Sequence, residues 1–372
     1  MNEVEPDRGA IVLRTPTAID QALRDPALRV AGRDTWHDDP RVHDLIDRMP
    51  SMHDDESRRR GLVPVRALLS PDASRAATPV MQREMRALAV ARPLDDPAVD
   101  LVESFTSLIA PTFLRSYLGL DTAVSAHDLR DFSTSLTAEL VRPGTPDPDL
   151  VAVILDVSGR LREAVTVVRR SQAKGAGQAG PLGDLRRDHP LAPLIEAVPE
   201  DHDVAAIVCL LASGGQETVS SLTCSVLMAN AQDPVMASRW RTDPVAVVDE
   251  LADLLPPIMM LARRAEAATR TDGIDIPGGR TVLLDLASGA GGMAFGMGLH
   301  RCLGRSVARA IIPIAVNAVL DAHPSLRSAR FRPEGRPVAG VFRGPVRLFA
   351  DSPAASDPGW DALSTMLGQR EG

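Results

Sequence analysis

Apolar residues recur at helical spacing through most of the long segments of this chain, which predicts a mainly helical fold. The longest such segment, residues 204–230 (VAAIVCLLASGGQETVSSLTCSVLMAN), is nearly apolar on all sides in its first half. A helix with no polar face is buried all round, so this one is expected to run through the centre of the protein. Short β-type stretches at residues 9–14, 280–286 and 340–348 are punctuated by glycine or proline and predict a small peripheral sheet. The expected fold class is therefore α+β, mainly α. Residues 143–149 and 171–183 lack any core-facing pattern and read as surface loops, not domain boundaries. No internal repeat is visible. The chain, residues 1–372, reads as a single domain, with partial disorder expected after residue 352.

Composition narrows the function classes. The chain is 44% hydrophobic and 24% charged, as in an ordinary globular protein. A net charge of −8 argues against a nucleic-acid partner, which demands a basic face. The only lysine is Lys174, so arginine carries the positive charge, and its forked guanidinium suits carboxylates. The opening MNEVEPDRGA lacks a secretory pattern, and no apolar run approaches the roughly 18 residues of a membrane span, so a cytoplasmic protein without membrane contact is expected. Cys209, Cys224 and Cys302 form neither a disulfide framework nor a zinc spacing.

Cys302 has distinctive surroundings. It lies in Phe295-Gly296-Met297-Gly298-Leu299-His300-Arg301-Cys302-Leu303-Gly304, just before the helical run SVARAIIPIAVNAVL. A cysteine ahead of a helix meets free backbone N–H groups and the positive end of the dipole, both of which favour the thiolate. Gly296, Gly298 and Gly304 allow tight bends and close approach to a flat ligand. By residue type alone a free cysteine is more often a small buried residue. Six specified positions in ten, however, resemble the heme-binding loop of the cytochromes P-450. That resemblance implies a cytochrome P-450-like fold, heme b (iron protoporphyrin IX) as cofactor and the Cys302 thiolate as iron ligand, with Phe295 and the loop glycines as heme contacts.

Three further segments follow the family's order. Gly214-Gly215-Gln216-Glu217-Thr218 is similar to the stretch at which the family's central helix opens beside the iron, and it implies that Glu217 and Thr218 deliver protons to bound oxygen. The plainer reading is a glycine-weakened helix whose Thr218 hydroxyl bonds back to a carbonyl. The segment at 261–279 resembles the strand that places an arginine on a heme propionate, with Arg263 as the match and Arg264 as the fallback. ESRRRGLVPVRALLS at 56–70 resembles the family's His-x-x-x-Arg helix. Arg60 matches, but Glu56 stands where the histidine belongs. Arg60, Arg263 and His300 would together neutralise two propionates.

The resemblance runs from about residue 9 to about residue 349, with departures. The family's N-terminal helix is missing, Asp253 replaces the arginine of the Glu-x-x-Arg motif that begins at Glu250, and the meander ahead of the cysteine loop is nearly gone. The resemblance implies an oxidoreductase: a monooxygenase that takes a small or medium apolar secondary metabolite and draws electrons from a ferredoxin and its reductase. A peroxide-driven or redox-neutral heme enzyme is the near alternative. A non-catalytic helper, such as an activator of a glycosyltransferase, is the distant one.

Overall fold

The computed structural model describes residues 3–5, 10–30, 37–54, 56–141, 145–175, 189–288, 291–335 and 341–351. Strands β1 (Glu3–Glu5) and β2 (Ala10–Leu13) lead into α1 (Pro16–Arg24), where Thr15 accepts the Ala18 N–H and proline fills the first turn. Strand β3 (Leu28–Arg29) precedes α2 (Pro40–Asp47), α3 (Glu56–Leu68), α4 (Pro71–Ala76) and α5 (Thr78–Val90). The helices continue as α6 (Leu101–Ser104), α7 (Ile109–Tyr117), α8 (Ala126–Val141), α9 (Pro148–Gly175), α10 (Ala192–Ala197) and α11 (Asp201–Gln232). Then come α12 (Pro234–Thr242), α13 (Pro244–Leu254), β4 (Met260–Ala265), β5 (Thr269–Thr271), β6 (Ile274–Ile276), β7 (Thr281–Asp285), α14 (Arg305–Ala322), β8 (Arg330–Glu334) and β9 (Arg347–Asp351).

The largest sheet has the order β1-β2-β7-β4-β3, with β2 and β7 parallel and the other neighbours antiparallel. It brings the N-terminal strands beside β4 and β7, while β8 and β9 form a separate two-stranded sheet. Alternation along β4 turns Arg263 and Ala265 inward and leaves Ala262 and Arg264 exposed.

The central helix is α11, and two hydrophobic clusters divide it. Val204 to Ala212 pack in one cluster with residues of α2, α8 and α9, and Val219 to Ala229 pack in another with residues of α5, α13 and α14. No residue from 213 to 218 belongs to either cluster. The polar and glycine positions thus split the core, and the site lies at the split. Among the described residues α11 is also the one helix long and apolar enough to cross a membrane, and most of it is buried in this core.

Three sequence expectations are corrected. Of the strand expected at 340–348, residue 340 lies outside those described, Phe342 makes an isolated bridge with Ile258, and Arg347 and Leu348 join β9 after Gly344 at φ +117° and Pro345 interrupt the segment. The loop expected at 171–183 is helical as far as Gly175, while residues 176–188 lie outside those described. The loop expected at 143–149 gives way to helix at Pro148, where the Asp147 carboxylate accepts the Asp149 N–H and the proline needs no partner. The tail beyond residue 351 lies outside the described residues.

Candidate cofactor site

The cysteine loop is shaped by backbone contacts. The Gly296 N–H donates to the Met293 carbonyl and the Cys302 N–H donates to the Phe295 carbonyl, each at 2.8 Å. Gly296 and Gly298 have φ of +65° and +66°. At Gly298 a side chain is excluded on a second ground: a Cβ there would lie 2.3 Å from the Leu23 carbonyl oxygen, so the loop seats directly on the end of α1. Gly304 caps α14 and is not in the left-handed region, and a Cβ there would lie 3.8 Å from the Cys302 Sγ, an ordinary contact. The Arg305 guanidinium stands 5.2 Å from the centre of the Phe295 ring.

Cys302 is exposed, unlike the buried Cys209 and Cys224, although protein packs closely round its thiol. Burial pushes this thiol above its ordinary range, and hydrogen bonding from the Gly304 and Arg305 N–H groups with the Arg305 charge offsets only part of that. The expectation that the helix start alone favours the thiolate is therefore corrected: desolvation outweighs the backbone donors. Burial holds Cys224 up to about 12 and pushes Cys209 up as well, so both behave as core residues.

On α11 Leu210, Leu211, Ser213, Gly214, Gly215, Glu217 and Thr218 are at least partly accessible and make an open strip between the buried stretches 204–209 and 219–230. A Cβ built on Gly214 meets nothing within 4 Å, whereas one on Gly215 would touch Ala110. The expected opening of the helix is not found, since α11 runs unbroken from Asp201 to Gln232. The Thr218 hydroxyl donates to the Gly214 carbonyl at 3.0 Å, the local back-bond to the preceding turn that the plainer reading expected. Leu303, beside the cysteine, packs with the cluster that holds Leu210, Leu211 and Ala212.

Glu217 projects to a different flank. Its carboxylate hydrogen-bonds to Thr134 on α8, and Arg130, Thr134, Ser221 and Arg343 line a cavity of about 270 Å³ with it. Burial raises the Glu217 carboxyl, and the Thr134 bond only partly offsets this. An acid raised in the folded state costs no stability while protonated and costs stability as the pH climbs through its folded value. Glu217→Gln is thus expected to match the wild type at low pH and to melt above it by a widening margin as the pH rises past the usual carboxylate range. Thermal unfolding across that range checks this, and a margin independent of pH would contradict it.

The third group lies at the sheet. Arg263 is 7% exposed, its Nη1 donates to the Ala262 carbonyl at 2.8 Å, and burial lowers its pKa while Asp54 partly restores it. Arg264 is exposed, so Arg263 is the inward arginine. His300 reaches out of the cysteine loop to Asp54, with Nε2 2.5 Å from Oδ1. Sequence reasoning missed Asp54, although the acidic run at 54–56 ahead of α3 was the available signal. Arg60 and Glu56 lie on α3, and their side chains fall outside those described.

The Glu-x-x-Arg remnant has been rewired. Glu250 pairs with Arg239 at 2.5 Å, and Asp253 accepts the Ala294 N–H at 3.4 Å just ahead of the cysteine loop. Asp249 binds Arg309 at 3.1 Å and lies 3.7 Å from Arg305. The aspartate at 253 thus anchors loop backbone, a task that an arginine could not do because it has no acceptor.

No family model matches the chain. Nocardicin C N-oxygenase of Nocardia uniformis subsp. tsuyamanensis is 27% identical over 235 residues, covering 54% of this chain and 58% of that protein. Pentalenic acid synthase of Streptomyces avermitilis is 25% identical over 319 residues, 78% of this chain and 74% of that one. The chain spans little more than half the length of the curated relatives it matches first, 58% and 51%. Among solved structures, the cytochrome P-450 BioI, in complex with an acyl carrier protein ligated to hexadec-9Z-enoic acid, superposes with a TM-score of 0.77 at 18% identity, covering 92% of both chains. The fold is the cytochrome P-450 fold. In sequence the chain is similar to bacterial cytochromes P-450, at 25–27% identity to the two named above.

Proposed function

We propose that the chain binds heme b through the Cys302 thiolate and works as a monooxygenase on a small or medium apolar secondary metabolite, with electrons supplied by a ferredoxin and its reductase. The observation that carries this reading is the accessible Cys302 sulfur at the start of α14, beside a central helix whose core packing is interrupted at residues 213–218. The residues present suit the group: an exposed cysteine, clear space over Gly214, and a buried Arg263 that donates to a neighbouring carbonyl. A bound heme supplies oxygen activation and an iron that turns the reluctant thiol into a thiolate.

The chain's own residues do the rest. Gly296 and Gly298 bend the loop, Phe295 and Gly304 flank the sulfur, and Gly214 with Gly215 keeps α11 thin. Arg263 and His300, with Arg60 on α3, would hold the propionates. Glu217, whose carboxyl is raised by burial, would serve as a proton donor on the α8 side, and Thr218 places a hydroxyl over the open strip. Retention of this pair with Cys302 favours an oxygenase over a helper or a redox-neutral enzyme.

Gly214→Ala separates stability from cofactor fit. Alanine in mid-helix is worth about 1 kcal/mol over glycine, and the Cβ meets no protein atom, so the free chain should unfold at higher denaturant. Its hemin affinity should fall, because the methyl group enters the space left for the ligand. Equal hemin affinity would place the cofactor elsewhere. The reaction itself is tested by loading the protein with hemin, supplying ferredoxin, reductase and NADPH, and offering a panel of apolar metabolites under labelled dioxygen. One labelled oxygen atom in a product is expected, and an absence of heme-dependent oxygen uptake across the panel would overturn the assignment.

A further inference from the structure

Asp54 stands where three segments meet. It follows α2 and lies just before α3, its Oδ2 accepts the Val30 N–H at 3.0 Å beyond β3, and its Oδ1 faces His300 of the cysteine loop at 2.5 Å. It also lies within Coulombic reach of the buried Arg263. Both oxygens are committed and the side chain is only 12% exposed. Arg263 and His300, two of the groups assigned to the propionates, thus already face a carboxylate of the protein itself.

We infer that Asp54 is a built-in stand-in for a cofactor carboxylate, holding His300 and facing Arg263 in the free chain, and that a heme propionate must displace it or share its partners. The inference rests on the heme reading above. Burial by itself would raise the Asp54 carboxyl, but the His300 hydrogen bond and charge, the Val30 N–H and Arg263 bring it below its ordinary range, so it is ionised. Like charges in a poorly hydrated corner repel strongly, and an ionised Asp54 therefore opposes the entry of a propionate. The same bonds tie the cysteine loop to the α2–α3 turn when no porphyrin is bound. Asp54 thus supports the empty chain and weakens its hold on the cofactor.

Asp54→Asn removes the charge and keeps an oxygen for the Val30 N–H. Purified heme-free wild type and Asp54→Asn are titrated with hemin by absorbance and with metal-free protoporphyrin IX by fluorescence, and the melting of each free chain is recorded. The variant should bind both porphyrins about tenfold more tightly, the scale of one charge-assisted hydrogen bond exchanged for a neutral one, and its free chain should melt lower. Asp54→Glu, which keeps the charge, should bind as the wild type does. Unchanged or weaker porphyrin binding by Asp54→Asn overturns the inference. If wild type meanwhile takes up hemin with a thiolate spectrum, the heme reading stands alone. If hemin is refused by wild type and variant alike, both readings fall.

Discussion

Cys302→Ser yields a folded protein that no longer gives the thiolate spectrum, and its oxygenase turnover falls to background. The substitution exchanges sulfur for oxygen at an accessible side chain that contributes little to any core cluster, so the free chain should melt within a few degrees of wild type. What it removes is the soft anionic ligand, which a neutral hydroxyl does not replace. Hemin titration with the reduced carbon monoxide spectrum, beside thermal melting, checks both halves. A serine variant that keeps the red-shifted band would show that another group ligates the iron.

Gly298→Ala is expected to be the most damaging single methyl addition in the cysteine loop. Alanine pays about 1–2 kcal/mol to adopt φ near +66°, and its Cβ would lie 2.3 Å from the Leu23 carbonyl oxygen, a backbone atom that cannot swing aside. Overpacking adds about 1–3 kcal/mol, so a loss of about 2–5 kcal/mol in the free chain is expected, with the loop lifted from α1 and hemin affinity lost with it. Gly304→Ala is the control: its Cβ would make an ordinary 3.8 Å contact with the sulfur and should cost well under half as much. Urea unfolding of the two variants ranks them, and equal costs would contradict the loop geometry.

These two residues show which parts of the molecule were legible in the sequence. The buried helix at 204–230, the strands near residues 10 and 281 and the cysteine ahead of α14 were visible because periodicity and glycine placement are local signals. Arg263 was the match within the segment at 261–279, and the alternation of β4 supplies the physical reason: residue 263 is buried and residue 264 exposed. Asp54 was visible only as part of an acidic run, and its role was not legible because its partners Val30 and His300 are distant in sequence. Asp253 was visible as a lost arginine but not as an acceptor for the Ala294 N–H. The thiol at Cys302 was misjudged for a related reason. Sequence reveals the helix dipole but not the desolvation that outweighs it.

The bond between iron and the Cys302 sulfur underlies the whole account, and one spectrum tests it. Heme-free wild type is incubated with one equivalent of hemin, reduced, and exposed to carbon monoxide. The account predicts the strongly red-shifted band of thiolate-ligated heme. A protein that stays colourless, or a reduced complex whose band is not shifted, would contradict it.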